Sequence, residues 1–296
     1  DWYFTDDRLL ASGGVNLMKG AMIFADAVTT VSDTYAKEIA TPEYGEGLDG
    51  VVRSIAYKMS GIINGVDYTV YNPAHDELID VTYNRVTYKK GKNANKVALQ
   101  RTLGLPQRED VPMFAFVSRM VDQKGLDLLL PVTEDLLQHD IQIVVLGTGE
   151  LRYEHAFKEI ASRHPDRMSA CIFFDNTLAH RVYAAADFVL LPSLFEPCGL
   201  TQLIALKYGA VPIVRETGGL VDTVKSYNEE TGEGNGFSFA PLSSADLEYT
   251  INRAIDFYYN RNKIYRTIQR FGMGQDFSWK ESSARYITLY RNLARN

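Results

Sequence analysis

The sequence predicts an α/β protein whose main part is a parallel sheet doubly wound by helices, and three observations lead there. Five apolar runs, residues 113–117, 141–146, 171–174, 188–191 and 211–214, lack the polar alternation of a half-exposed sheet, so they suit strands buried on both faces. Each is followed by a polar or glycine-rich turn and then a segment of helical length, the repeating order of a wound parallel sheet. The length of 296 residues suffices for about two domains and a sizeable core.

Taken in order, residues 12–25 predict a helix and residues 27–31 a short strand. Ser32 is placed to cap a helix over residues 34–39. One strand and two helices cannot enclose a core, so residues 1–61 are expected to close an N-terminal domain whose beginning lies outside the chain. Residues 62–275 carry the doubly wound domain. Phe277, Ser278 and Trp279 open a last helix, running to about Leu293, and residues 276–296 are expected to pack back on the N-terminal domain.

Composition narrows the function classes. With 46% hydrophobic and 23% charged residues the chain has an ordinary globular make-up, and it contains no apolar stretch of the roughly 18 residues a membrane span needs. A cytoplasmic protein without membrane partners is expected. The net charge of −6 opposes broad nucleic-acid binding, which relies on cations displacing counterions from phosphates. Cys171 and Cys198 have no zinc-type spacing, and His75, His139, His155, His164 and His180 form no HxxxH or HExxH pair, so no metal or disulfide is expected.

Ligands of such sheets sit at the carboxyl ends of the strands, which directs attention to four turns. In the first, Ser118, Arg119 and Lys124 precede a helix start, where two cations five residues apart can converge on an anion; ordinary solvated charges are the plain alternative. The second, Gly147-Thr148-Gly149, is a GxG with Arg152 where the dinucleotide fingerprint needs its third glycine, and a tight structural turn explains it equally well. The third is Phe195-Glu196-Pro197-Cys198-Gly199-Leu200-Thr201. The N–H groups of Gly199, Leu200 and Thr201 can face a phosphate, and Glu196 suits the hydroxyls of a sugar or ribose, while Cys198 reads as a small packed hydrophobe. In the fourth, Thr217, Gly218 and Gly219 let backbone reach a ligand unhindered. Together the four suit a sugar nucleotide better than a dinucleotide.

Several stretches resemble bacterial glycogen synthase and plant starch synthase. They are Ser118-Arg119 with Lys124-Gly125, Phe195 to Gln202, Thr217-Gly218-Gly219-Leu220 with Asp222-Thr223-Val224, Val28 to Ser32, Tyr35 to Ile39, Ile62 to Asp67 with Tyr71-Asn72-Pro73, and Phe277-Ser278-Trp279. They are collinear and span the whole chain.

The resemblance implies a GT-B fold and retaining transfer of glucose from ADP-glucose to the non-reducing end of an α-1,4-glucan, with no metal or other cofactor. It assigns Arg119 and Lys124 to the departing diphosphate, Glu196 to the transferred glucose, and Asn64 to that sugar's surroundings. Gly199, Leu200 and Thr201 fall to the phosphate-binding helix start, Thr217 to Leu220 to phosphate or sugar, and Phe174 to the adenine. Ile204 stands where many GT-B enzymes carry a second glutamate. The family's N-terminal Lys-x-Gly-Gly-Leu motif and active-site histidine are absent from the chain, so weak binding of ADP or ADP-glucose and little catalysis by the chain alone are expected. A noncatalytic nucleotide-binding module, or a GT-B transferase using UDP-glucose, is the alternative.

Overall fold

A computed structural model describes residues 2–11 and 13–295. Strands β1 (Leu10–Ala11) and β2 (Gly14–Val15) form a minimal antiparallel hairpin ahead of helix α1 (Leu17–Phe24). The helix expected from residue 12 therefore starts five residues later; Ser12 itself lies outside the described residues. Asn16 sets the true start, its side chain accepting the Lys19 N–H at 2.9 Å. Strand β3 (Val28–Thr30) leads through Ser32 into α2 (Asp33–Glu38), and the Ser32 hydroxyl accepts the Tyr35 N–H at 2.8 Å, the cap read from the sequence. After α3 (Asp49–Ser54), β4 (Met59–Gly61) pairs in parallel with β3.

The rest is the doubly wound unit: α4 (Tyr88–Leu103), β5 (Met113–Val117), α5 (Leu126–Leu136), β6 (Gln142–Leu146), α6 (Leu151–Arg163), β7 (Met168–Cys171), α7 (Asn176–Ala185), β8 (Phe188–Leu191), α8 (Thr201–Lys207), β9 (Val211–Arg215), α9 (Gly218–Thr223), β10 (Phe237–Phe239), α10 (Ser244–Tyr259) and α11 (Asn262–Gly274). The sheet runs β10-β9-β8-β5-β6-β7, all parallel. Alternate side chains build two cores. Phe114, Phe116, Phe188 and Leu190 face one layer of helices, and Met113, Ala115, Val189 and Leu191 face the other. The chain order reverses between β5 and β8, so the crevice of the switch point opens beyond their carboxyl ends.

Two departures concern the sheet edges. The third expected strand lies earlier, at Met168–Cys171, and it ends where the Gly147 N–H closes the ladder on the Cys171 carbonyl. The apolar Phe173 and Phe174 that suggested a buried strand stand exposed in the loop beyond it. Strand β10, three residues long with a serine at its centre, carried too little pattern to be expected. Helix α12 (Trp279–Leu293) packs near the start of the chain: Ser282 donates to the carbonyl of Ile63, just after β4, at 2.6 Å and Arg285 pairs with Asp33 of α2 at 3.1 Å.

Candidate functional site

The switch point brings the first and third turns together. After β8 the chain passes through Ser193 and Glu196 to the start of α8, and after β5 a short turn over residues 122–124 presents Lys124. Leu194 N–H donates to the Gln123 carbonyl at 2.8 Å and the Gln123 side-chain Nε2 donates to the Phe195 carbonyl at 3.2 Å, so Gln123 ties the two turns together through both its backbone and its side chain. Lys124 Nζ lies 2.6 Å from Glu196 Oε2, which also accepts the Ser193 hydroxyl at 3.0 Å. Both charged side chains are mostly buried, 16% and 8% exposed, where partial exclusion of water strengthens the pairing. Glu196 Oε1 accepts no hydrogen bond among the described residues. Ser118, Lys124, Ser193, Glu196, Gly199 and Thr201 line one cavity, and the N–H groups of Gly199, Leu200 and Thr201 donate to no protein acceptor among the described residues.

The fourth turn is packed directly on this one. Gly219 N–H donates to the Glu196 carbonyl at 3.0 Å. A Cβ at Gly218 would come within 2.1 Å of the Glu196 carbonyl oxygen, and one at Gly219 within 2.1 Å of that of Cys198. The double glycine is thus required by close approach of backbone to backbone. The donors of this turn are already engaged: the Thr217 hydroxyl at 3.0 Å and the Gly218 N–H at 2.8 Å both reach Glu38 Oε1, from the last turn of α2. In return Asp222 of α9 accepts from Ser32 Oγ, Thr34 N–H and Thr34 Oγ1 at the start of α2. Each helix start is capped by a carboxylate from the other, so the contact expected here with phosphate or sugar finds Glu38 in place.

The remaining candidates are less convergent. Arg119 is exposed, makes no side-chain hydrogen bond or ion pair among the described residues and does not line the cavity. Phe174 is 87% exposed and likewise outside it. Asn64 is half-buried and its N–H lies against Cys198. Burial pushes the Cys198 thiol up, which suits a packing residue rather than a nucleophile. The GxG glycines pack on the first turn, since a Cβ at Gly147 or Gly149 would meet the carbonyl oxygen of Ser118 or Met120 within about 2 Å.

Three residues of the site were not singled out from the sequence. Ser193 orients Glu196. Arg215, 5% exposed at the end of β9, donates to the Ser193 carbonyl at 2.7 Å and also to the carbonyls of Leu194 and Ala240, holding the exit of β8 in place. Glu38 caps the fourth turn. The one available signal was Arg215, a cation at the carboxyl end of a buried strand; the contacts of Ser193 and Glu38 depend on folding. Among the described residues no three His, Cys, Asp or Glu side chains are grouped to hold a metal ion, and no helix is long and apolar enough to cross a membrane.

A parallel sheet wound by helices on both faces, with its polar turns meeting at the switch point, is a Rossmann-like domain of GT-B type, and comparison with known proteins agrees. Residues 104–270 match the family described as glycosyl transferases group 1, and residues 1–54 match the starch synthase catalytic domain. Glycogen synthases of Lachnospira eligens and Desulforamulus reducens are 51% and 52% identical over 99% of the chain, which spans 61% of the length of each. The catalytic domain of starch synthase IV from Arabidopsis thaliana, solved bound to ADP and acarbose, superposes with a TM-score of 0.93 at 34% identity, covering 100% of this chain and 62% of that one. Sucrose-phosphate synthase from Thermosynechococcus elongatus, at 19% identity and a TM-score of 0.63 over 94% of this chain and 61% of that one, shares the fold. The chain belongs to the glycosyl transferases group 1 family, and its resemblance to the glycogen and starch synthases extends over its whole length.

Proposed function

We propose that this chain supplies the nucleotide-sugar side of a retaining glucosyltransferase that moves glucose from ADP-glucose to the non-reducing end of an α-1,4-glucan. The observation that carries the reading is the juxtaposition of Lys124, Glu196 and three unengaged N–H groups at the switch point. In this reading Lys124 and the N–H groups of Gly199, Leu200 and Thr201 stabilise the negative charge of the departing diphosphate, where preorganised donors lower a barrier most effectively. Glu196 accepts sugar hydroxyls through Oε1 while Ser193 and Lys124 hold Oε2. Arg119, exposed beside this cavity, is free to swing toward the diphosphate. The ADP bound to starch synthase IV, 34% identical to this chain, favours adenine over uracil. Calorimetric titration of the chain with ADP and with UDP tests the reading. Binding of ADP in preference to UDP, lost in Lys124→Ala, is expected; failure of ADP to bind, or preference for UDP, overturns it.

A further inference from the structure

Away from the crevice, the start of α4 and the exposed face of α11 border a groove of about 580 Å3. Its lining includes five cations, Arg85, Lys89, Lys263, Arg266 and Arg270, and no carboxylate, and it shares no residue with the cavity at Glu196. The chain as a whole has 37 acidic residues against 31 basic ones, yet neither α4 nor α11 contains a single Asp or Glu.

The arrangement is electrostatically unfavourable in three separate ways. Lys263, Arg266 and Arg270 follow one another at three- and four-residue spacing, so like charges stack on one helix face. Lys89 and Lys90 occupy the first turn of α4, where the helix dipole favours acids. None of the five groove cations forms an ion pair among the described residues. Exposed arginines elsewhere do: Arg152, Arg163 and Arg261 each bridge at least two carboxylates.

Only part of this cluster is explained by packing. Arg85 Nε donates to the Arg270 carbonyl at 2.9 Å and its guanidinium lies over Gly274, at the end of α11 where a cation is favoured. Arg266 donates to Gln269 at 2.8 Å, but its Nε is buried with no hydrogen-bond partner, an unmet donor that costs stability unless something accepts from it. Lys89, Lys263 and Arg270 make no side-chain hydrogen bond among the described residues. Glu109, which lines the adjoining groove beside Lys89 and Lys90, accepts from Asn93 at 3.1 Å and pairs with neither lysine; the buried carboxylate of Asp187, whose charge acts on Arg266, is already paired with Lys96.

We propose that this groove binds a small phosphorylated anion carrying two or more negative charges. The volume suits a metabolite-sized ligand. Planar arginine forks together with lysines are the side chains that recognise phosphate. Such a ligand would relieve the repulsion between α4 and α11, and its binding would register as added stability.

Inorganic pyrophosphate is the probe, titrated by calorimetry into the chain with and without saturating ADP, beside the double variant Lys89→Glu/Arg270→Glu. Both positions are exposed, so the variant is expected to fold. Pyrophosphate that ADP displaces belongs to the crevice. The proposal expects a further binding event that survives ADP and is weakened at least about tenfold by the double substitution, with ADP affinity unchanged. It also expects pyrophosphate to raise the melting temperature more than sodium chloride of equal ionic strength. Absence of any ADP-insensitive binding, equal binding by the variant, or equal stabilisation by chloride overturns it. Because the variant leaves the crevice intact, none of these results bears on the function proposed above.

Discussion

Replacing Glu196 by glutamine turns the pairing at the switch point into a quantitative test. In the structure one ammonium serves the carboxylate at 2.6 Å. If a phosphate oxygen is held by the same ammonium, it lies about 5 Å from that carboxylate, and at an effective dielectric of about 20 the two unit charges repel by about 3 kcal/mol. Solvent reaching the pocket reduces this, so Glu196→Gln is expected to bind ADP about ten- to a hundredfold more tightly. The same change deprives a mostly buried Lys124 of its charge partner, which costs on the order of 3 kcal/mol in the free protein. The variant should therefore melt below the wild type without ligand, and ADP should raise its melting temperature by more. Calorimetry gives the affinity and thermal unfolding with and without ADP gives the linkage. Adenosine, with no phosphate, should bind both proteins alike. A folded Glu196→Gln that binds ADP no better than the wild type would refute the idea that the carboxylate and the diphosphate share Lys124.

Other substitutions probe the supports of the site. Lys124→Ala is expected to lower glucosyl transfer by about a hundredfold, as loss of one charge-stabilising donor does, in an assay of radiolabelled glucose incorporated into glucan by an active transferase carrying the change. Gly219→Ala places a methyl against the Cys198 carbonyl and should destabilise by about 2 kcal/mol or more, read from denaturant midpoints; Gly232→Ala, where a Cβ meets nothing but φ is +73°, serves as a control for backbone strain alone. Arg215→Lys keeps the charge but cannot span three carbonyls, so it should weaken ADP binding while a melting curve shows the chain still folded. Asp222 supplies a pH test: burial works to raise its carboxyl, but hydrogen bonds from Thr34 and Ser32 outweigh burial and hold it below its ordinary value of 3.8. Its contribution is present above that value and is lost as pH falls through the lower folded value, so Asp222→Asn should flatten the stability profile below about pH 4.

Most of the central sheet was legible because a strand covered on both faces needs a continuous apolar run, and Met113–Val117 and Phe188–Leu191 coincide with the runs read from the sequence. The edges were not, because an edge strand can be brief and mixed, as Phe-Ser-Phe at 237–239 is, while Phe173 and Phe174 are apolar without being buried. Ser32 was readable as a cap since that contact spans only three residues.

The sequence alone determined the winding of helices on a parallel sheet, the turns that carry polar chemistry and the family they resemble, because these depend on local pattern and on motif order. Only the tertiary structure decided which of those turns meet. Lys124 and Glu196 are 72 residues apart and become partners through the order of β5 and β8 in the sheet. Glu38 and Thr217 are separated by 179 residues, and their contact follows from packing α2 against α9. Contacts of that range are set by how the elements stack to bury their apolar faces, and no local run of residues encodes which side chains are brought face to face.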